Sequence, residues 1–138
     1  LKQGVTHIIG SHPHVIQPME LRTDSITRTQ HAVVYSLGNF ISNMSKVNTD
    51  GGLIFTLELE KDTTTSTSPQ VRVQRCGYNF VWTARPNFTK EKNYVLYPTD
   101  STSISKLPEA ARNHLNIFVK NSRKLLQQHN VGIKENKK

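Results

Sequence analysis

The amino-acid sequence predicts a mixed α/β fold, rich in strands and with one long helix near its end. Three stretches carry that expectation. Residues 53–60 alternate strictly, with Leu53, Phe55, Leu57 and Leu59 on one side and Ile54, Thr56, Glu58 and Glu60 on the other. That is the two-residue period of a strand with one apolar face. Residues 32–37 are almost unbroken in apolar and β-prone side chains, as in a central strand covered on both faces. Between residues 108 and 129 the period lengthens. Ala111, Leu115, Phe118, Ser122 and Leu125 recur at spacings of four and three, a helical stripe turned towards a core.

Taken in order, residues 5–9 predict a short buried strand built on Val5, Ile8 and Ile9 and broken by Gly10. His12 and His14 follow, separated by Pro13. Proline fixes its own φ and biases the preceding residue towards an extended conformation. In an extended segment, side chains two apart lie on the same side. The pair is therefore expected just beyond a strand's carboxyl end, where open α/β sheets place their ligands. Neutral imidazoles are the commonest metal ligands, although an H-x-H pair alone also fits two solvated loop histidines.

Residues 17–22 read as a short strand with Pro18 near its start and Glu20 inside it, and the polar residues 23–30 suit a hairpin connection. The strand over 32–37 ends at Gly38 and Asn39, where Gly38 permits a tight turn. Residues 42–50 have no period and predict a surface loop. The alternating strand pairs with a second one over 70–76, through a Thr/Ser-rich hairpin connection at 61–69. Residues 77–86 carry Tyr78, Phe80 and Trp82 and extend or bulge the same sheet, the rings packing in the core. Residues 94–97 give one more short strand. The helix is expected over 104–130, with Pro108 in its first turn, Glu109 at its positive end and Gly132 just past its end. Residues 131–138 read as a disordered tail.

A chain of 138 residues is long enough for one domain with a real core. It opens on Leu1, almost directly into the first strand, which suggests the carboxyl-terminal segment of a longer protein. No apolar run approaches the length needed to span a bilayer. The single Cys76 excludes an internal disulfide or a cysteine metal cluster, leaving a buried or unremarkable thiol. Net charge is +8, and from Ile104 onward eight Lys/Arg face two Glu, so most of the excess lies in the last quarter. Such an excess suits a polyanion, an anionic membrane or nucleic acid, but neither interleaved aromatics nor a recognition helix points to nucleic acid. A solvated helix face explains the same charges; the sharper reading makes Lys120, Arg123 and Lys124 contacts to an anionic polymer. Ser11 and Ser36 sit on no nucleophile elbow, and Cys76 has no histidine near it in sequence. His7 alternates with Ile8 inside an apolar run and reads as a core histidine, while His31, His114 and His129 read as surface residues.

Two motifs stand in a fixed order: G-S-H-P-H-V-I-Q-P-M-E over residues 10–20 and Y-S-L-G-N-F over residues 35–40. Together they resemble the CapA-type capsule proteins of poly-γ-glutamate biosynthesis, relatives of the calcineurin-like metallophosphatases, over residues 1–60. The resemblance implies the carboxyl-terminal half of a four-layer α/β/β/α sandwich with a two-metal site above its sheets. Residue by residue, it makes His12 and His14 metal ligands, while Ser11 stands where such proteins often carry histidine. Gln17, Glu20 and Asn39 are then candidates to receive the second N–H of the ligating imidazoles. Two divalent ions need roughly six protein ligands, so the amino-terminal half of the same protein would supply the rest, and this segment alone would be inactive. The implied parent is an extracytoplasmic or membrane-associated, hydrolase-like protein that acts on poly-γ-glutamate or assists its export. Its partners would include a membrane synthase complex. Two alternatives stay open: a non-catalytic polymer-binding subunit, and a general metallophosphoesterase.

Overall fold

The computed structural model describes residues 4–63 and 70–136. Their order is β1 (Ile8–Ile9), β2 (Met19–Thr23), β3 (Gln30–Val34), β4 (Gly51–Asp62), β5 (Gln70–Ala84), α1 (Pro86–Thr89), β6 (Val95–Pro98), α2 (Ser101–Ser105), α3 (Glu109–His129) and β7 (Lys134–Glu135). The fold is mixed α/β, strand-rich and served by one long helix. Of the implied sandwich, the described residues contain two sheets and that helix.

The first sheet has the order β1-β3-β2. β1 runs parallel to β3, with Ile8 opposite Val33 and Ile9 opposite Val34. β2 and β3 form an antiparallel hairpin, Met19 facing Val34 and Thr23 facing Gln30. Its turn is fixed by Asp24, whose Oδ1 accepts the N–H groups of Ile26 at 2.9 Å and Thr27 at 2.7 Å. The second sheet has the order β4-β5-β6, with β7 added to β5. The β4–β5 ladder runs from Gly51 opposite Trp82 to Asp62 opposite Gln70, with an irregularity between Glu58 and Leu59. Of the Thr/Ser-rich connection, residues 64–69 lie outside the described residues.

The two sheets meet at a glycine joint. Gly38 bridges Gly52, Leu53 N–H donates to Leu37 O at 2.8 Å, and Asn39 N–H donates to Gly51 O at 3.0 Å. A Cβ on Gly52 would lie 2.7 Å from both Leu37 O and Asn39 O, closer than any side chain tolerates. One core then serves both sheets: Ile16, Met19 and Val34 join Leu53, Phe80 and Trp82, and α3 adds Ala111, Leu115, Phe118 and Leu126. Phe80 lies at the centre, edge-on to both Tyr78 and Phe118.

Several expectations are corrected. Residues 5–9 are not a buried strand. Only Ile8 and Ile9 pair, at a sheet edge, and Val5, Ile8 and Ile9 remain 44–48% exposed because no described element covers them. β3 is central but covered on one face: Ala32, Val34 and Ser36 are buried, while Tyr35 on the alternate face is exposed. Leu59 is also exposed, because the far end of the β4–β5 hairpin runs past the core. The helical stripe closes on Leu126, which is 1% exposed, and Leu125 is only half-buried. The helical region is divided. Pro108 takes an extended ψ of 152°, separating α2 from α3, and buried Leu107 packs at the break.

The tail is not disordered through residue 136. Val131 bridges Glu20 of β2, Ile133 is buried, and β7 pairs in parallel with Gly77 and Tyr78. Asn130 starts this strap by accepting the Met19 N–H on its side-chain oxygen at 2.8 Å. Residues 137–138 lie outside the described residues. The aromatic run 77–84 does extend the sheet, as part of the fifteen-residue β5.

Candidate metal-binding loop

The loop after β1 is drawn onto the continuation of β3. Gly10 N–H donates to Val34 O at 2.8 Å, Leu37 N–H donates to Gly10 O at 2.9 Å, and Ser11 Oγ donates to Gly38 O at 2.9 Å. Residues 11–14 then form a turn closed by His14 N–H on Ser11 O at 3.3 Å, not the extended segment expected from Pro13. His14 has a φ of 61°, in the left-handed region that non-glycine residues seldom occupy. Such a conformation costs of order 1 kcal/mol and clusters at functional sites. Both histidines are exposed.

His14 Nδ1 sits 2.7 Å from Asn39 Oδ1. Asn39 is only 6% exposed and is held on every side. Its Nδ2 donates to Thr49 O at 2.8 Å and approaches Met44 Sδ at 3.7 Å, and its backbone N–H is on Gly51 O. The preceding residue, Gly38, has a φ of 78°, and this turn sets the direction in which Asn39 leaves the strand. The residues behind the loop are tied to β5. Trp82 Nε1 donates to Asp50 Oδ2 at 2.9 Å, and Thr83 Oγ1 donates to Phe40 O at 2.5 Å.

Of the other candidates, Glu20 and Arg123 have side-chain partners outside this loop. Gln17 is half-buried and its backbone N–H donates to Ser36 O. The Glu20 carboxylate is taken by Arg22 and by the Tyr35 hydroxyl at 3.1 Å, and these partners, Arg22 first, hold its pKa below the ordinary carboxylate value. On α3, Lys120 and Lys124 are exposed. Arg123 is engaged: its Nε and Nη2 each donate to the Glu135 carboxylate at 2.8 Å, and its guanidinium lies 5.4 Å from the centre of the Phe80 ring. This bidentate, charge-assisted pair ties α3 to β7. His7 is half-buried, its Nδ1 accepting the Ala32 N–H at 3.1 Å. His31, expected at the surface, is half-buried with Nδ1 on Thr6 O at 3.0 Å.

Residues 1–44 match the family model of the bacterial capsule synthesis protein PGA_cap. No curated protein and no solved structure matches the chain. The PGA_cap match takes in β1, the histidine turn, β2, β3 and Asn39, and it ends at Met44 beside the Asn39 amide. Over that stretch the chain is similar to capsule synthesis proteins, while β4 to β7 lie beyond it.

Two neutral imidazoles in one turn suit a divalent cation. They are not a complete site. Among the described residues, no three His, Cys, Asp or Glu side chains gather as a group that could hold a metal ion. Thr49 and Met44 carry no signal in the sequence, because they lie in a loop without period and meet Asn39 only through the fold; Asp50, from the same loop, goes to Trp82 instead.

Proposed function

We propose that this chain is part of a capsule-synthesis protein in which His12 and His14 supply two ligands of a divalent metal centre, the others coming from outside the described residues. The observation that carries this is the histidine turn itself. It lies inside the span similar to PGA_cap, and His14 is seated on a buried amide oxygen, the support that ligating histidines usually have. A metal there would lower the pKa of a bound water and polarise a substrate oxygen. The chain's own part is to fix where the two imidazoles stand. The substrate in this reading is an anionic γ-linked glutamate polymer, cleaved or assisted in export outside the cytoplasm. The test is elemental analysis of the full-length protein beside its His12→Ala/His14→Ala form. Metal in the first and its loss from the second is expected; equal metal in both removes the two histidines from the site.

A second reading rests on α3. Lys120 and Lys124 project from its exposed face one turn apart, in the most basic part of the chain. Such a face attracts a polyanion without any chemistry, as a polymer-binding subunit of a synthase complex would. Poly-γ-glutamate binding that survives the double histidine replacement but is lost in Lys120→Glu/Lys124→Glu favours this reading. The reverse pattern favours the first.

A further inference from the structure

We infer that Asn39 is a positioning residue that locks His14 in the tautomer protonated at Nδ1, so that Nε2 is the nitrogen left to bind a ligand. The argument starts from Thr49. Its backbone carbonyl can only accept, so the Asn39 atom 2.8 Å away is the amide nitrogen. The side-chain oxygen of Asn39 is thereby the atom 2.7 Å from His14 Nδ1. An amide oxygen also only accepts, so the proton of a neutral His14 must sit on Nδ1.

The orientation of the amide is over-determined. Its other N–H faces Met44 Sδ at 3.7 Å, its backbone N–H is bound to Gly51 O, and the side chain is almost fully buried. Turning the amide over would set its nitrogen against His14 and its oxygen against the Thr49 carbonyl, two acceptors without a proton between them. The lock reaches back to β5, because Thr83 and Trp82 hold the two ends of the loop that carries Met44 and Thr49. His12 has no hydrogen bond to its ring among the described residues. The turn is thus asymmetric: among the described residues the His14 ring has a buried partner and the His12 ring has none.

This rests on the proposed metal site only for the identity of the ligand, a divalent cation; the tautomer itself does not depend on it. Long-range proton–nitrogen NMR on the full-length, metal-free protein reads which ring nitrogen is protonated, at about pH 8 where imidazole is neutral. The wild type is expected to show His14 protonated at Nδ1. Asn39→Asp, which keeps an acceptor, should keep that tautomer, and Asn39→Ala should shift His14 towards Nε2–H in a protein with dispersed amide signals. A wild-type His14 protonated at Nε2 overturns the inference whether or not the variants fold. Zn²⁺ titration then separates the two claims. Asn39→Ala should bind Zn²⁺ about 10- to 100-fold more weakly than wild type; equal affinity overturns the positioning role. A locked tautomer in a wild type that takes up no Zn²⁺ upholds the lock and overturns the metal reading instead.

Discussion

His7 shows how a single side chain of the first sheet becomes a pH-dependent liability. Burial, and after it the neighbouring His31, holds its pKa below the ordinary histidine value. The fold therefore favours neutral His7, whose Nδ1 must stay bare to accept the Ala32 N–H. Its contribution is complete above the unfolded pKa of about 6.5 and is lost as pH falls through the lower, folded value. The thermal midpoint is expected to decline below about pH 6.5, and to decline less steeply in His7→Gln. Asp24 and Glu20, whose pKa values are depressed by turn N–H groups and by Arg22, add their losses only near and below the ordinary carboxylate range, so the windows separate. A midpoint independent of pH between 7.5 and 5.5 (roughly one unit either side of the free histidine value) would remove His7 from this role. At this scale the sequence marked His14 and Asn39, because each stands in a motif, and the fold brings the two within 2.7 Å. It did not show that Glu20 belongs to Arg22 and Tyr35, or that Arg123 belongs to Glu135. Such pairings depend on register and on a chain return that no local pattern encodes.

Two elements invite direct tests. The glycine joint leaves no room at Gly52, where a new Cβ would press on Leu37 O and Asn39 O. Gly52→Ala is expected to cost about 1–3 kcal/mol, as overpacking does, and to disturb His14 through Asn39. Urea unfolding beside a His14 spectrum checks both, and an unchanged midpoint would mean that the sheets part easily here. In α3, Phe118 is 1% exposed and lies edge-on to Phe80. Phe118→Ala should lose about 3–5 kcal/mol, against little for exposed Ile117→Ala. The long elements were legible because β4, β5 and α3 sustain their periods. α1 and α2, of four and five residues, are too short to show one. The strap at 131–136 looked like a basic tail because its apolar content is only Val131 and Ile133; its order comes from hydrogen bonds to two sheets.

At the scale of the whole molecule, that strap ties the histidine-bearing sheet to the second sheet. Arg123→Ala should release β7, and amide exchange at Lys134 and Glu135 should quicken while β4 stays protected. Unchanged exchange would assign the strap's order to Ile133 and the backbone ladder alone. The strap also sets an order of events in time. β2 receives its outer partner from a residue 111 positions later, since Met19 N–H waits for the Asn130 side chain. Contacts of such long range form late and slow folding. A chain still being made on the ribosome, complete only to residue 129, carries the histidine turn but leaves that edge of β2 bare. The sheet that bears the turn is therefore sealed only after residues 130 and 131 have been added, and a chaperone that recognises unpaired strand edges has until then to find it.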